Sequence, residues 1–368
     1  MQNAIQKTLL EIHEICADIS PRLMEVCGTH TMAIHQHGLR ALLPLELELV
    51  SGPGCPVCVT PITFIDMIIE LAKRENNVIC TFGDLVRVPG SHSSLENEKA
   101  QGQDIRIVYS PADALKMAVQ NSKKNHIFIG IGFETTAPAV AVVIEKAAQM
   151  GVENFSIACA HKTMPSALEQ LAQDPNNRIN GFICPGHVSA VIGTHPYEFL
   201  PDEYGIACAV AGFEPMDILA AIQMLCRQIR TDKPRVELEY DRVVKPGGNL
   251  RAMSIMKRVF QECDSEWRGL GIVPKSGLAI RPEYQHYDAF ARTRIEIKES
   301  SSNSECICGD ILRGLKKPLQ CKLFGDRCTP ESPIGACMVS GEGTCAAFYK
   351  YSDSRQHRNP SSESFVPG

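Results

Sequence analysis

Short apolar runs alternate with segments of helical periodicity along residues 20–230, and this alternation is the chain's main structural signal. Buried strands that alternate with helices along a chain favour parallel sheets whose strands are connected by helical crossovers. The strand candidates are Leu23–Cys27, Leu47–Ser51, Val78–Phe82, Ile105–Tyr109, Ile127–Ile131, Phe155–Ala160, Gly181–Cys184 and Ile206–Ala211. The helix candidates are Ile62–Arg74, Ala112–Asn121, Pro138–Met150, Pro165–Ala172 and Pro215–Ile229, of which the last three begin at proline, a residue that suits a first helical turn.

The N-terminal residues form one apolar helical face at Ile5, Leu9, Ile12 and Ile15. They lack the basic start and apolar block of a signal peptide, and no apolar run approaches the roughly 18 residues that span a bilayer. The net charge of -5 offers no basic face for nucleic acid. We therefore expect a cytoplasmic protein that binds neither membrane nor nucleic acid, in which clustered thiols are more often metal ligands than disulfides.

Short motifs recur at a nearly constant spacing, which predicts an internal duplication. The matched positions are His30 and His161, Pro53 and Pro185, and Gly83 and Gly212, at offsets of 131, 132 and 129. The alternative is that α/β loops simply favour Gly, Pro and His. At these offsets the thiols of Cys27, Cys55 and Cys58 correspond to Ala158, His187 and Ala190, so the duplication would leave chemistry in one half only.

The pattern predicts two similar parallel-sheet α/β halves followed by a small Cys-rich segment. The boundaries are an N-terminal helix (1–19), a first α/β domain (20–150), a second α/β domain (151–235), a connecting segment (236–300) and the Cys-rich segment (301–368). The last residues, from Arg355 onward, are polar and expected to fray. The Cys-rich segment holds six of the sixteen cysteines, and its Gly and Pro content predicts little buried apolar surface. Disulfides, zinc or an iron–sulfur cluster would then have to hold it together.

Two cysteine motifs in the first half carry candidate chemistry. Cys55-Pro-Val-Cys58 lies between a predicted strand and a predicted helix, and a helix start favours thiolate over thiol. Cys27 ends another predicted strand, with His30 close behind as a proton donor or acceptor. If the two strands are neighbours, the three thiols converge and suit a soft metal such as iron. A lone CxxC is also common in structural zinc sites, and His30 could equally be a core histidine bound to backbone.

The cysteines of the tail do not by themselves identify a metal. Cys321, Cys328, Cys337 and Cys345 are nearly evenly spaced, without the tight CxxC of zinc sites or the ferredoxin run. Spacing therefore leaves zinc and iron–sulfur open, and Cys306 and Cys308 could replace one ligand or stay free. The roles of three other residues are ambiguous. Glu134 is either a polar residue of the site or, as is more common, a surface carboxylate. His92 and His187 have no assigned role.

At these motifs the chain resembles the HypD family of hydrogenase maturation factors. The matching blocks are EVCGTHTMAIHQHGLR (25–40), LVSGPGCPVCVTP (49–61), TFGDLVRVPGS (81–91), IGFETTAP (131–138), CPGHVSAVIG (184–193) and CKLFGDRCTPESPIGACMVSGEGTCAAFYKY (321–351). The resemblance implies a scaffold on which an iron carrying cyanide and carbon monoxide is assembled for [NiFe]-hydrogenase, with HypC and the cyanide-supplying HypE as partners.

The resemblance also implies the cofactor and the site residues. A [4Fe-4S] cluster is expected in the C-terminal region, with Cys321, Cys328, Cys337 and Cys345 as ligands. Functional thiols are expected at Cys27, Cys55 and Cys58, binding Fe(II) and receiving electrons from the cluster, with His30 beside them. Two rival functions use the same residues: a cluster-dependent disulfide reductase with an accessible Cys55/Cys58 dithiol, and an interaction module with a zinc-bound tail.

Overall fold

The computed structural model describes residues 2–293, 295, 300 and 305–351. The strands are β1 (Arg22–Glu25), β2 (Glu48–Ser51), β3 (Asn77–Thr81), β4 (Ile105–Ile107), β5 (Asn125–Gly130), β6 (Phe155–Cys159), β7 (Gly181–Pro185), β8 (Ala207–Ala211), β9 (Val236–Leu238), β10 (Phe260–Trp267) and β11 (Gly271–Ile280). The helices are α1 (Gln2–Cys16), α2 (Gly28–Gln36), α3 (Pro56–Val59), α4 (Ile62–Ala72), α5 (Gly83–Val86), α6 (Leu95–Ala100), α7 (Pro111–Gln120), α8 (Ala137–Gln149), α9 (Met164–Gln173), α10 (Gly186–Ile192), α11 (Phe199–Tyr204), α12 (Pro215–Thr231), α13 (Leu250–Val259), α14 (Ala289–Arg292), α15 (Cys308–Leu312), α16 (Ala336–Val339) and α17 (Thr344–Tyr351).

Two parallel sheets form the frame of the molecule. The first has the strand order β2-β1-β7-β8-β9 and the second the order β4-β3-β5-β6. Central strands such as β8 are buried at every residue, because helices cover both faces of a parallel sheet. The predicted α/β class with parallel sheets is confirmed, and all eight strand candidates and all five helix candidates match elements to within a few residues.

The two sheets do not correspond to the two predicted halves. Strands β1 and β2 belong to the predicted first domain, yet they share a sheet with β7, β8 and β9, while β3–β6 form the other sheet. The constant-offset counterparts of β1 and β2 are β6 and β7, which lie in different sheets although β1 and β2 are paired. The topology therefore does not reproduce the predicted duplication at this offset.

The segment that follows β9 was predicted only as a connection. It contains helix α13, which matches a charged helical stretch expected around Met253–Glu262, and the antiparallel hairpin β10–β11, which the sequence analysis missed. From Glu262 to Trp267 in β10, more exposed positions alternate with less exposed ones, a period of two that is typical of a strand with one face partly covered. None of the helices in the described part of the chain has the length and apolar content needed to cross a bilayer.

The Cys-rich segment buries many apolar side chains, contrary to expectation. Its apolar side chains pack into the same cluster as Cys55 and Cys58, and the buried ones include Ile311, Leu312, Leu323, Met338 and Val339. The expectation of little buried apolar surface was wrong because short apolar runs between the cysteines fold back onto the first sheet. The predicted fraying after Arg355 lies outside the described residues.

Candidate functional site at two cysteine turns

The turns that carry Cys27 and Cys55 meet at the end of the first sheet. Strands β1 and β2 are parallel neighbours, with Glu25 opposite Ser51, so their carboxyl ends lie side by side. The backbone N–H of Gly28 donates to the carbonyl of Gly54 at 3.1 Å. A Cβ on Gly54 would lie 2.4 Å from the backbone nitrogen of Cys27, so only glycine permits this approach. The predicted convergence of the two motifs is thus confirmed for their backbones.

Cys27 lies two residues beyond the end of β1 and is not the last residue of that strand, as was expected. Strand β1 ends at Glu25, and Cys27 is the extended N-cap of α2, with only 8% of its surface exposed. Burial raises the pKa of the Cys27 thiol to about 11, and the negative charge of Glu342 acts in the same direction. Hydrogen bonds from the backbone N–H groups of Thr29 and His30 oppose these effects without cancelling them. At neutral pH, Cys27 is therefore a thiol that must lose its proton to bind a metal.

Cys55 and Cys58 are joined as a disulfide. Cys55 is the N-cap of α3, and its sulfur accepts the backbone N–H of Cys58 at 3.3 Å. The exposed fractions are 3% for Cys55 and 0% for Cys58. In the disulfide state neither sulfur can bind a metal as a thiolate, so the predicted three-thiolate site would exist only after reduction.

The histidines near these turns differ in their surroundings. His30 is fully buried, and its Nε2 donates to the carbonyl of Gly212 at 2.9 Å. Its Nδ1 has no partner among the described residues, and burial lowers its pKa to about 4. His30 is therefore a neutral histidine held by backbone on one side, with a free acceptor on the other. The ring of Phe213 contacts both His30 and His187, at centroid distances of 4.7 and 4.0 Å. His92 is exposed.

The Cys-rich segment packs directly on both cysteine turns. The hydroxyl of Thr29 donates to Glu342 at 3.0 Å, and a Cβ on Gly28 would lie 2.5 Å from the Cβ of Glu342. The sulfur of Cys58 lies 4.0 Å from the carbonyl oxygen of Ala336, the first residue of α16. One loop of the tail therefore borders Cys27, and its neighbouring helix borders the disulfide. Sequence reasoning missed Glu342, which has no motif spacing and is identified only by this contact.

The thiols of the tail form a connected series. The thiols of Cys306 and Cys308, of Cys308 and Cys337, and of Cys337 and Cys345 lie close enough to shift each other's pKa. Cys328 is buried near Cys345, and its sulfur accepts a hydrogen bond from the backbone N–H of Ile334 at 3.3 Å. Cys321 follows a short helical turn and is partly exposed.

The surroundings of Cys308 favour it among the cysteines that the sequence analysis left as possible replacement ligands. Its thiol is buried between those of Cys306 and Cys337, although its spacing in the sequence gave no reason to prefer it. Several buried thiols in one segment fit the donor chemistry of an iron–sulfur cluster. No three Cys, His, Asp or Glu side chains in the described ranges are arranged closely enough to hold a metal ion.

Glu134 lies in the turn between β5 and α8 and is not the surface carboxylate that was expected. Only 2% of its surface is exposed, and its Oε1 accepts the N–H of Met164 at 2.9 Å. Burial raises the pKa of Glu134 to about 7. The turn sequence gave no sign of burial, because helix α13 and the hairpin that cover it are distant in the chain.

Comparison with known proteins gives consistent matches along most of the chain. The family model HypD, described as "Hydrogenase formation hypA family", matches residues 3–352. The hydrogenase maturation factor HypD2 of Bradyrhizobium diazoefficiens is 48% identical over 92% of this chain and 91% of that protein. The hydrogenase maturation factors HypD of Azotobacter vinelandii and Escherichia coli are each 46% identical, covering 93% and 90% of this chain and 93% and 89% of theirs.

Proposed function

The chain belongs to the HypD family of hydrogenase maturation factors, and we propose that it is the scaffold on which an iron carrying cyanide and carbon monoxide is assembled for [NiFe]-hydrogenase. Its proposed partners are HypC, which would share the iron, and HypE, which would supply cyanide. The observation that carries the proposal is the contact of one Cys-rich segment with both cysteine turns, through Glu342 beside Cys27 and Ala336 beside Cys58.

Cys27 is the proposed ligand of the iron, which is cargo rather than a resident cofactor. Its thiolate is a soft donor for Fe(II), and iron binding must displace the proton that burial retains on the sulfur. The backbone N–H groups of Thr29 and His30 stabilise the thiolate once it forms. His30 is buried beside this turn, and the ring of Phe213 packs against it.

The Cys55–Cys58 disulfide is the proposed redox partner of this site. Two electrons and two protons convert it to two thiols, which then become available as soft ligands next to Cys27. A [4Fe-4S] cluster in the tail, for which Cys321, Cys328, Cys337 and Cys345 are the proposed ligands, would pass those two electrons one at a time from an external one-electron reductant. The short path from Cys58 to α16 supports this role, because α16 contains Cys337.

Burial argues against the rival function of a disulfide reductase. A substrate disulfide must be attacked by an accessible thiolate, yet both Cys55 and Cys58 are enclosed. The zinc-bound interaction module shares the tail cysteines but offers no reason for Cys27 and Cys58 to lie against that tail.

Anaerobic copurification with HypC tests the proposal. Infrared bands of metal-bound cyanide and carbon monoxide, together with iron beyond the cluster, are expected in the complex. Absence of these bands, with a brown protein that reduces disulfides, would favour the reductase. A colourless protein with zinc and no acid-labile sulfide would favour the interaction module.

A further inference from the structure

The turn of the β10–β11 hairpin lies against the helix that carries the Cys55–Cys58 disulfide. The backbone N–H of Arg268 donates to the carbonyl of Val59, the last residue of α3, at 2.8 Å. The guanidinium group of Arg268 donates twice to the carbonyl of Thr60, through Nε at 3.1 Å and Nη2 at 2.9 Å. Carbonyls at the end of a helix have no partner within the helix. Arg268 therefore fixes the carboxyl end of α3.

The other side of the same turn lies against the tail. Gly269 has a φ of +87°, and a Cβ at this position would lie 2.7 Å from the carbonyl oxygen of Gly309 in α15. Helix α15 begins at Cys308. Arg268 and Gly269 also line one cavity together with Cys306 and Cys308. The turn therefore bridges the disulfide helix and the thiols of the tail.

The hairpin is anchored to the second sheet, which makes its turn a fixed support. Nζ of Lys162, a buried residue shortly after β6, donates to the carbonyl of Glu266 at 2.6 Å and to the hydroxyl of Ser265 at 2.8 Å. Trp267 is buried, and its Nε1 donates to the hydroxyl of Ser276 at 2.8 Å. A helix as short as α3, with four residues, is not stable without packing contacts. The anchored turn supplies such contacts.

We propose that Arg268 and Gly269 are positioning residues, which hold the Cys55–Cys58 pair and the tail at a fixed separation while the disulfide is reduced. The inference rests on the proposed function for the redox role of this disulfide. Reduction takes two protons and two electrons, passed one at a time from an external one-electron reductant, and it yields two thiols. In the closed state the S–S bond itself restrains α3. Once the bond is broken, the hydrogen bonds from Arg268 keep the two sulfurs close.

Equilibration of the full chain with reduced and oxidised dithiothreitol, in the absence of oxygen, tests the role of Arg268. The fraction of the Cys55–Cys58 disulfide is measured by alkylation and mass spectrometry. Arg268→Gln should lower the equilibrium constant for disulfide formation about tenfold, or about 30 mV, because the freed thiols meet less often. Arg281→Gln is the matched control, since its N–H and Nε also donate to backbone carbonyls, at the other end of the hairpin. It should keep the wild-type constant.

A second pair of variants tests the contact with the tail and covers the case in which Arg268→Gln fails to fold. Dithionite supplies single electrons, and reduction of the disulfide is followed over time. Gly269→Ala should slow this reduction about tenfold or more, because the new Cβ displaces α15 and a misplacement of about 1 Å is enough for such a loss. Gly271→Ala has a similar φ of +73°, but its Cβ would meet nothing within 4 Å. It should be reduced at close to the wild-type rate.

The proposal is overturned if Arg268→Gln keeps the wild-type constant or if Arg281→Gln shifts it equally. It is also overturned if Gly269→Ala and Gly271→Ala are reduced at the same measurable rate. If dithionite leaves the wild-type disulfide intact, the electron path of the proposed function fails, and the equilibrium constants alone decide on Arg268. These constants need neither HypC nor bound iron. A shifted constant in Arg268→Gln, without cyanide and carbon monoxide bands in the wild-type complex, would uphold the positioning role while the scaffold function fails.

Discussion

The close approach of Gly54 to Cys27 is the contact on which the paired cysteine turns depend, and Gly54→Ala tests it directly. The added Cβ would lie 2.4 Å from the backbone nitrogen of Cys27 and 2.5 Å from its Cα. Ordinary contacts between such atoms are about 3.5 Å. Because the atoms it meets belong to the backbone rather than to a flexible side chain, one turn must retreat by about 1 Å.

The cost of this retreat can be worked out from its parts. Overpacking of a tight site destabilises a protein by about 1–3 kcal/mol. Loss of the 3.1 Å hydrogen bond from Gly28 to Gly54 adds about 1 kcal/mol. The expected loss of about 2–4 kcal/mol is smaller than the usual stability of a domain. Gly54→Ala should therefore remain folded while its two cysteine turns are misplaced.

Two measurements separate the structural from the functional effect. Urea denaturation should show the loss in stability. Hydrogenase maturation in cells that lack their own HypD should fall by about 100-fold, because a misplacement of reactive groups by 1 Å can lower a rate by that factor. The matched control is Gly341→Ala, in the same region, where a Cβ meets nothing within 4 Å. It should stay within about 0.5 kcal/mol of the wild type. Wild-type stability and maturation in Gly54→Ala would refute the importance of this contact.

Three further predictions concern the thiols and Glu134. Cys27→Ala should remove the non-cluster iron from the complex with HypC at a cost of no more than about 2 kcal/mol, since one buried sulfur is lost; unchanged iron with lost HypC binding would place the thiol in the interface instead. Cys337→Ser should remove the iron and acid-labile sulfide of the tail, whereas Cys306→Ser should retain them. If Cys308→Ser instead loses the iron and acid-labile sulfide while Cys337→Ser retains them, Cys308 rather than Cys337 is a cluster ligand. Glu134 has a raised pKa of about 7, so the folded state holds its proton more tightly than the unfolded state. Its stabilising effect is complete below about pH 4.5 and is lost as the pH rises to 7, by roughly 3 kcal/mol. Glu134→Gln should flatten this part of the stability profile, and an unchanged profile would contradict the assignment.

The local elements of this protein could be predicted from the sequence. Apolar runs bounded by Gly and Pro marked strands β1–β8, and proline at first turns marked the starts of helices such as α12. The proximity of Cys27 to Cys55 was also predictable once β1 and β2 were taken as adjacent strands. These features depend on residues close together in the chain, where periodicity and turn chemistry act.

The assignment of strands to sheets was decided only by the tertiary structure. Strand β7 pairs with β1, and β8 pairs with β7, whereas β6 pairs with β5 in the other sheet. Burial of both sheet faces depends on helices throughout the chain. Apolar periodicity says that a strand is buried but not which strand lies beside it. The predicted halves failed for this reason.

The surroundings of the reactive groups were likewise beyond local sequence. The position of Glu342 beside Cys27, the burial of Glu134 beneath α13 and the contact between Cys308 and Cys337 join residues far apart in the chain. The sequence supplied the cysteines and their turns. Long-range packing determined which of them meet, because desolvation and neighbouring charge depend on the whole fold.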